Sequence, residues 1–351
     1  MSRRLLIALL ILAAAGCRGG TTPFEPSAQG ESCARSADCA PGLRCLEQIC
    51  VDREEIARWS APDNDALSLE CPLGATLVGA PPPEGLRIGC ERNGRPGGPT
   101  LEWSPDGKLM RRSEWLGGRL HGTLITWHPN GKQASLSTWL DGVEHGLTRR
   151  WYSTGALESE VEIWAGVMHG RATWWSPKGH KEAEGEWRNN QLHGTLTYFY
   201  EDGRKESEGS WQGGQQHGRL VWWYPTGKTW SESWYRNGML HGAVTNWYEN
   251  GQKESYGEWS NNQQHGVLRT WYSSGAKESE GWYRNGQLHG TLTRWYENGQ
   301  KESEGAWRKG LQHGRQVGWY ENGLKWYDTE YRNGQPFTDG NLLGEQPLKI
   351  L

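Results

Sequence analysis

Thr291-Leu292-Thr293-Arg294-Trp295-Tyr296-Glu297-Asn298-Gly299-Gln300-Lys301-Glu302-Ser303-Glu304-Gly305-Ala306-Trp307-Arg308-Lys309-Gly310 spells out one β-hairpin. A stretch of strand composition leads into the turn Glu297-Asn298-Gly299, a return strand runs from Lys301 to Trp307, and a second turn closes at Arg308-Lys309-Gly310. The unit recurs. His-Gly pairs stand at His121, His145, His169, His193, His217, His241, His265, His289 and His313, each 24 residues after the last. With each His as position 1, position 7 is always aromatic (Trp127, Trp151, Trp175, Phe199, Trp223, Trp247, Trp271, Trp295, Trp319) and position 11 is always Gly, from Gly131 to Gly323. The register reaches back to Gly94, Trp103 and Trp115 and forward to Tyr331 and Gly334. About ten units therefore fill the segment, and a fixed period of this size marks a repeat architecture. The expected fold is all-β: an elongated, single-layer antiparallel sheet of tandem 24-residue hairpins over residues 91–336, preceded by a small disulfide-rich module and followed by a tail at 337–351.

Turn chemistry sets the expected faces. Pro105, Pro129, Pro177 and Pro225 occupy position 9, where proline suits the first central residue of a type I turn, and Gly at position 11 then takes the left-handed bulge conformation. With a three-residue loop, position 8 opposes 12 and 7 opposes 13. Positions 7, 13, 15, 17 and 19 then share one face, while 4, 8, 14 and 16 share the other. A two-residue turn would instead place Tyr at 8 beside Trp at 19. A longer period is nested inside: position 19 runs Trp211, Tyr235, Trp259, Tyr283, Trp307, Tyr331 and position 24 runs Leu192, Gln216, Leu240, Gln264, Leu288, Gln312, so alternate units match. Duplication of a 48-residue block explains this, as does alternation of two kinds of site.

Gly257-Glu258-Trp259-Ser260-Asn261-Asn262-Gln263-Gln264-His265-Gly266 and Gly185-Glu186-Trp187-Arg188-Asn189-Asn190-Gln191-Leu192-His193-Gly194 resemble the Gly-x-Trp…His-Gly core of MORN repeats, specifically the bacterial variant group of exported proteins and lipoproteins. The resemblance covers about two thirds of the chain. It departs from the eukaryotic pattern at position 15, usually Ser instead of Tyr, and at position 4, Leu instead of Gly, so membrane association and dimerisation carry over weakly. An antitoxin role, sometimes attached to the bacterial group, conflicts with export.

The start of the chain predicts that export. Arg3 and Arg4, the apolar run Leu5 to Leu12 and Ala14-Ala15-Gly16-Cys17 read as a lipoprotein signal peptide over 1–16. The resemblance to bacterial lipoboxes implies cleavage before Cys17, acylation of that residue and stable anchoring by several acyl chains. Arg18 in place of the inner-membrane retention aspartate points to the bacterial outer membrane. Residues 17–32 then read as the lipidated Cys and a flexible tether. Apart from Cys17 the seven cysteines leave six, all within 33–90, a number that fits three disulfides. Cys33, Cys39, Cys45 and Cys50 are expected to pair among themselves and Cys71 with Cys90, around Pro81-Pro82-Pro83. The spacing lacks a Cys-x2-Cys pair, which argues against zinc.

The repeated chemistry argues for binding over catalysis. Histidines ~9.5 Å apart cannot share a metal whose His ligands lie ~2 Å from the ion; each is expected to satisfy a turn backbone and pack on an aromatic ring. The Glu pairs at 14 and 16 recur in like environments, which offers no means of separating an acid from a base. No nucleophile motif or phosphate loop appears, so neither catalytic residues nor a cofactor is expected. A formal net charge of -3 with alternating Lys and Glu excludes a nucleic-acid stripe. With 23 Trp and 13 Tyr against 3 Phe, the rings are the candidate contacts, foremost Trp223, Trp247, Trp271, Trp295 and Trp319. Two readings follow: a membrane-anchored scaffold for a protein partner or self-association, and a glycan-binding module that lays peptidoglycan or lipopolysaccharide along the Trp ladder.

Overall fold

The computed structural model describes residues 44–46, 49–51, 69–338 and 341–342, and among them every element is a strand or a turn. The signal peptide, Cys17, the tether, Cys33 and Cys39 lie outside the described residues. Arg44–Leu46 and Ile49–Val51 form a small hairpin in which Cys45 and Cys50 are Cα partners. Cys71 is bonded to Cys90, with the two Cα atoms 5.4 Å apart. That bridge ties the segment entering Thr76–Ala80 to the partner strand Arg87–Arg92, across the hairpin that carries Pro81-Pro82-Pro83.

Two compact units divide between His193 and Gly194. In the first, strands from Thr76–Ala80 through Lys181–Arg188 pair antiparallel, each with the next in sequence. In the second, the same succession runs from Gln191–Phe199 paired with Lys205–Gln212 to Gln335–Thr338 paired with Asn341–Leu342. Nothing but a neighbouring strand is needed to satisfy each backbone, so one short turn per strand suffices.

The two turns of each unit differ. At position 11, the Gly299 N–H donates to Tyr296 O at 2.9 Å and the Tyr296 N–H to Gln300 O at 2.8 Å, with Gly299 at φ +85°. This is the three-residue type I turn with a left-handed glycine that proline at position 9 predicts. The other turn has two central residues with positive φ, as at Lys309 (+52°) and Gly310 (+79°), the type I′ geometry that favours Asn-Gly.

The expected faces are wrong, and a bulge is the reason. Trp295 pairs with Lys301 as the three-residue loop requires, but the next partners are Arg294 and Ser303, so Glu302 at position 14 is an extra residue. One extra residue inverts every later side chain of the strand. Positions 15, 17 and 19 therefore lie with 2, 4 and 6, whereas 7 and 13 lie with 3, 5, 16 and 18. Trp at 7 and Trp or Tyr at 19 are on opposite faces, and Leu at 4 joins the ring at 19.

A second irregularity explains the His-Gly pair. Gly305 partners Gln316 and Trp307 partners Gln312, so three residues, His313 to Arg315, oppose Ala306 alone. Position 2 takes φ between +84° and +115° throughout this loop-out, for example +102° at Gly266. Only glycine adopts that conformation without strain.

On the face of position 19, packing is decided by the absence of a side chain at 17. A Cβ added to Gly257 would stand 2.5 Å from Trp259 Cζ3 and 3.1 Å from Leu268 Cδ1. The ring folds back over its own strand and is clamped by Leu at 4 of the next unit. Where position 17 is Ser, it meets the indole N–H instead: Trp115 Nε1 donates to Ser113 Oγ at 2.8 Å and Trp139 Nε1 to Ser137 Oγ at 2.9 Å.

Candidate functional site

Many of the repeated polar groups have structural partners, although the buried Nδ1 atoms of His241 and His313 have none among the described residues. In some units the His at position 1 reaches the type I′ turn twenty residues on: the Ala165 N–H donates to His145 Nδ1 at 3.1 Å, and the Asn237 N–H to His217 Nδ1 at 3.4 Å. The His145 ring also packs on Trp164 with centroids 4.6 Å apart, and burial holds its pKa below the usual imidazole range. His145 thus plays both the turn-satisfying and the ring-packing role that the sequence suggests for every repeat, His217 the first of them, and His241 and His313 lack the turn bond. The acid at position 16 is ion-paired. Glu160 and Glu280 meet Arg149 and Arg269 at 2.8 and 2.9 Å, Glu232 meets Arg219 at 2.8 Å, and Lys277 reaches Glu280 at 3.0 Å. The Arg219 hydrogen bond holds the Glu232 carboxyl below its ordinary range, and Arg269 and Lys277 do the same for Glu280. Being half-exposed, these pairs are worth roughly 0–1 kcal/mol each.

The five candidate rings, Trp223, Trp247, Trp271, Trp295 and Trp319, share a face and are half-buried. Lys253, Lys277 and Lys301 lie over Trp271, Trp295 and Trp319 at 6.0, 4.9 and 6.0 Å from the ring centroids. Their backbone carbonyls are also taken: the hydroxyls of Tyr200, Tyr224, Tyr248, Tyr272 and Tyr296 donate to the carbonyls of the five in turn, at 2.5 to 2.9 Å. A Tyr at position 8 thus stitches its unit to the next, a role that sequence reasoning missed because the partner is a main-chain oxygen. The Trp ladder is a seam between repeats.

The open rings are others. Trp164, Trp230, Trp234, Trp282 and Trp326 are 43–57% exposed, and they break the period: position 14 for Trp230 and Trp326, 18 for Trp234 and Trp282, 20 for Trp164. The signal that could have found them is this departure from positions 7 and 19. Trp230 leans on Tyr224 with centroids 6.1 Å apart, and Trp326 on Tyr320 at 6.2 Å, giving two like aromatic ledges. Between Trp234 and Trp282 in sequence lies a shallow depression of about 330 Å³ lined by His241, Tyr256, Glu258, Trp259 and His265. Among the described residues no three His, Cys, Asp or Glu side chains converge as metal ligands.

A family profile described as "MORN repeat variant" matches residues 240–261 and 288–308. Each match covers one hairpin from position 24 onward, and the two lie 48 residues apart, on units with Leu at position 24. None of the curated proteins compared with the chain matches it. Among solved structures, the one titled "Crystal Structure of TcdB2-TccC3-Cdc42" aligns at 9% identity over 73% of this chain with a TM-score of 0.16. The chain spans 16% of the length of that one.

Proposed function

We propose that this chain is an exported lipoprotein of the bacterial envelope, anchored to the outer membrane through Cys17, whose hairpin repeats form a non-catalytic scaffold for a protein partner or a second copy. The observation that carries the scaffold reading is the division of labour among the rings: periodic Trp residues are half-buried between repeats, and the exposed ones occur in only a few of the units. A glycan platform needs a row of open, equivalent rings. Contacts concentrated at scattered aromatic residues suit one particular protein surface, where a few Trp and Tyr carry most of the energy.

The full chain tests this in the producing cell. A photo-cross-linking amino acid replaces Trp164, Trp230, Trp234, Trp282 and Trp326 one at a time, with Trp271 as the half-buried control. Discrete protein adducts from a subset of the exposed positions, and none from 271, are expected; adducts nowhere, or saturable co-sedimentation with peptidoglycan sacculi accompanied by a shift in Trp emission, would reject the reading. Incorporation of a clickable palmitate that disappears in Cys17→Ala tests the anchor independently.

A further inference from the structure

Position 18 sits on the His-Gly loop-out, where the sheet has its widest irregularity. A Cβ built on Gly242 would stand 3.1 Å from Trp234 Cβ, one on Gly290 3.5 Å from Trp282 Cβ, and one on Gly266 2.3 Å from Glu258 Oε2. Trp234, Glu258 and Trp282 therefore occupy equivalent places on three successive units and form a row. Equivalent residues of neighbouring hairpins lie two strands apart, about 9.5 Å. The two rings are 43% and 56% exposed.

The carboxylate in the middle differs from two of its counterparts and is set apart from the others, Glu186 and Glu330, by the depression it lines. Glu114 and Glu162, two of its four counterparts, accept the N–H of Thr123 and Arg171 at 2.9 and 3.1 Å. Glu258 accepts only the Tyr256 hydroxyl, at 3.0 Å, and has no basic partner among the described residues. Tyr256 is itself a departure, since it stands where most other units carry the ion-paired acid of position 16. Both residues line the depression beside Trp259 and His241, whose Nδ1 is buried with no hydrogen-bond partner. An unpaired carboxylate among indole rings attracts a cation, and the faces of Trp rings add to that attraction.

The spacing selects the backbone that brings the cation. A polyproline II helix has three residues per turn and rises 3.1 Å per residue, so its residues i, i+3 and i+6 share one face about 9.3 Å apart. An extended β-strand alternates sides, and its i and i+3 residues point away from each other. Resting on the scaffold reading, we propose that the row Trp234, Glu258 and Trp282 binds a polyproline II segment of a partner protein. Proline or another apolar residue packs on each Trp, and an Arg or Lys three residues from both meets Glu258. Aromatic grooves are a general solution for such segments, which lose little entropy on binding.

The probe is acetyl-Pro-Pro-Pro-Arg-Pro-Pro-Pro-amide titrated into the full chain and followed by Trp fluorescence. Saturable binding is expected, weakened at least about tenfold, or 1.4 kcal/mol, by Glu258→Gln and by Trp234→Ala or Trp282→Ala. Glu302→Gln and Trp326→Ala should leave it unchanged. Because Glu258→Gln keeps the side chain's size, its circular dichroism and melting curve will match those of the parent chain. No saturable binding, equal binding of the peptide with Gln in place of Arg, indifference to Glu258→Gln, or binding of chitotetraose instead would each overturn the proposal. Cross-links that persist from Trp164, Trp230 or Trp326 in that event leave the scaffold reading standing and remove this site alone.

Discussion

At the scale of the residue, two side chains show how tightly the repeat is specified. Gly257 is small because the Trp259 ring lies over it, and a methyl group at 257 has to push that ring off the sheet and away from Leu268. Gly257→Ala is expected to cost about 1–3 kcal/mol, the usual penalty for overpacking, read as a lowered urea midpoint; an unchanged midpoint would mean that the ring has room to move. His145 makes the second case through protonation. Its imidazole is neutral when it accepts the Ala165 N–H, and burial holds its pKa below 6.5. A depressed folded pKa means stability that is complete above the unfolded value and lost as pH falls through the folded one. The protection factor of the Ala165 amide, its exchange rate relative to the intrinsic rate at the same pH, should therefore fall as pH drops below 6.5, and the ring should titrate by NMR below that value. A midpoint at or above 6.5 would contradict the neutral acceptor.

At the scale of the element, the hairpin was legible in the sequence and its faces were not. Proline at position 9 and glycine at 11 named the turn correctly, because local backbone preferences are written in single residues. The bulge at position 14 carries no such mark, and it alone exchanged the faces of Trp at 7 and Trp at 19. The candidate site suffered for it: rings chosen for their periodicity proved to be the seam, and the exposed rings lay among the exceptions. The 48-residue alternation was visible as spacing, but its cause needed the register. Positions 19 and 24 are direct cross-strand partners, and from Trp211 to Gln312 the pairs run Trp211 with Gln216, Tyr235 with Leu240, Trp259 with Gln264, Tyr283 with Leu288 and Trp307 with Gln312. Trp takes Gln and Tyr takes Leu. A double-mutant cycle of Tyr283→Trp and Leu288→Gln should show the pair recovering at least about 0.5 kcal/mol that the single changes lose, the scale of cross-strand coupling. Strict additivity would reduce the alternation to an accident of duplication. The acidic stripe makes a pH prediction on the same strands: Glu232 and Glu280 have lowered folded pKa values, so their contribution is present above the ordinary Glu value of 4.5 and fades as pH drops through the lower folded values. Melting temperature should decline below about pH 4.5, and less so in a chain carrying Glu232→Gln and Glu280→Gln.

At the scale of the whole molecule, each described strand pairs only with its neighbours in sequence, so stability is built from repeat and interface contributions that are nearly alike. This makes the number of units adjustable, provided that an even number of strands is removed and the chain rejoins at the same position of the repeat. Deleting 241–288 joins Leu240 to His289 and rebuilds the native Leu-His-Gly junction, with the Tyr235 and Leu240 pair intact. The shortened chain should fold with an unchanged circular dichroism spectrum per residue. Its urea m-value should fall by roughly a fifth, in proportion to the surface no longer exposed on unfolding. It should also lose the arginine peptide, because Glu258 and Trp282 leave with the deleted block. Deleting 241–276 instead joins Leu240 to Lys277, which places the second strand of a hairpin where a first strand must begin. The neighbours still run antiparallel, but a second strand then faces another second strand that lacks the His-Gly loop-out, so register and side-chain faces no longer match. This chain should aggregate or unfold. If both deletions fold equally well, the units are held by contacts other than their strand ladders. If neither folds, the repeats are not interchangeable, and the near-identity of their sequences has some other cause than a shared structural rule.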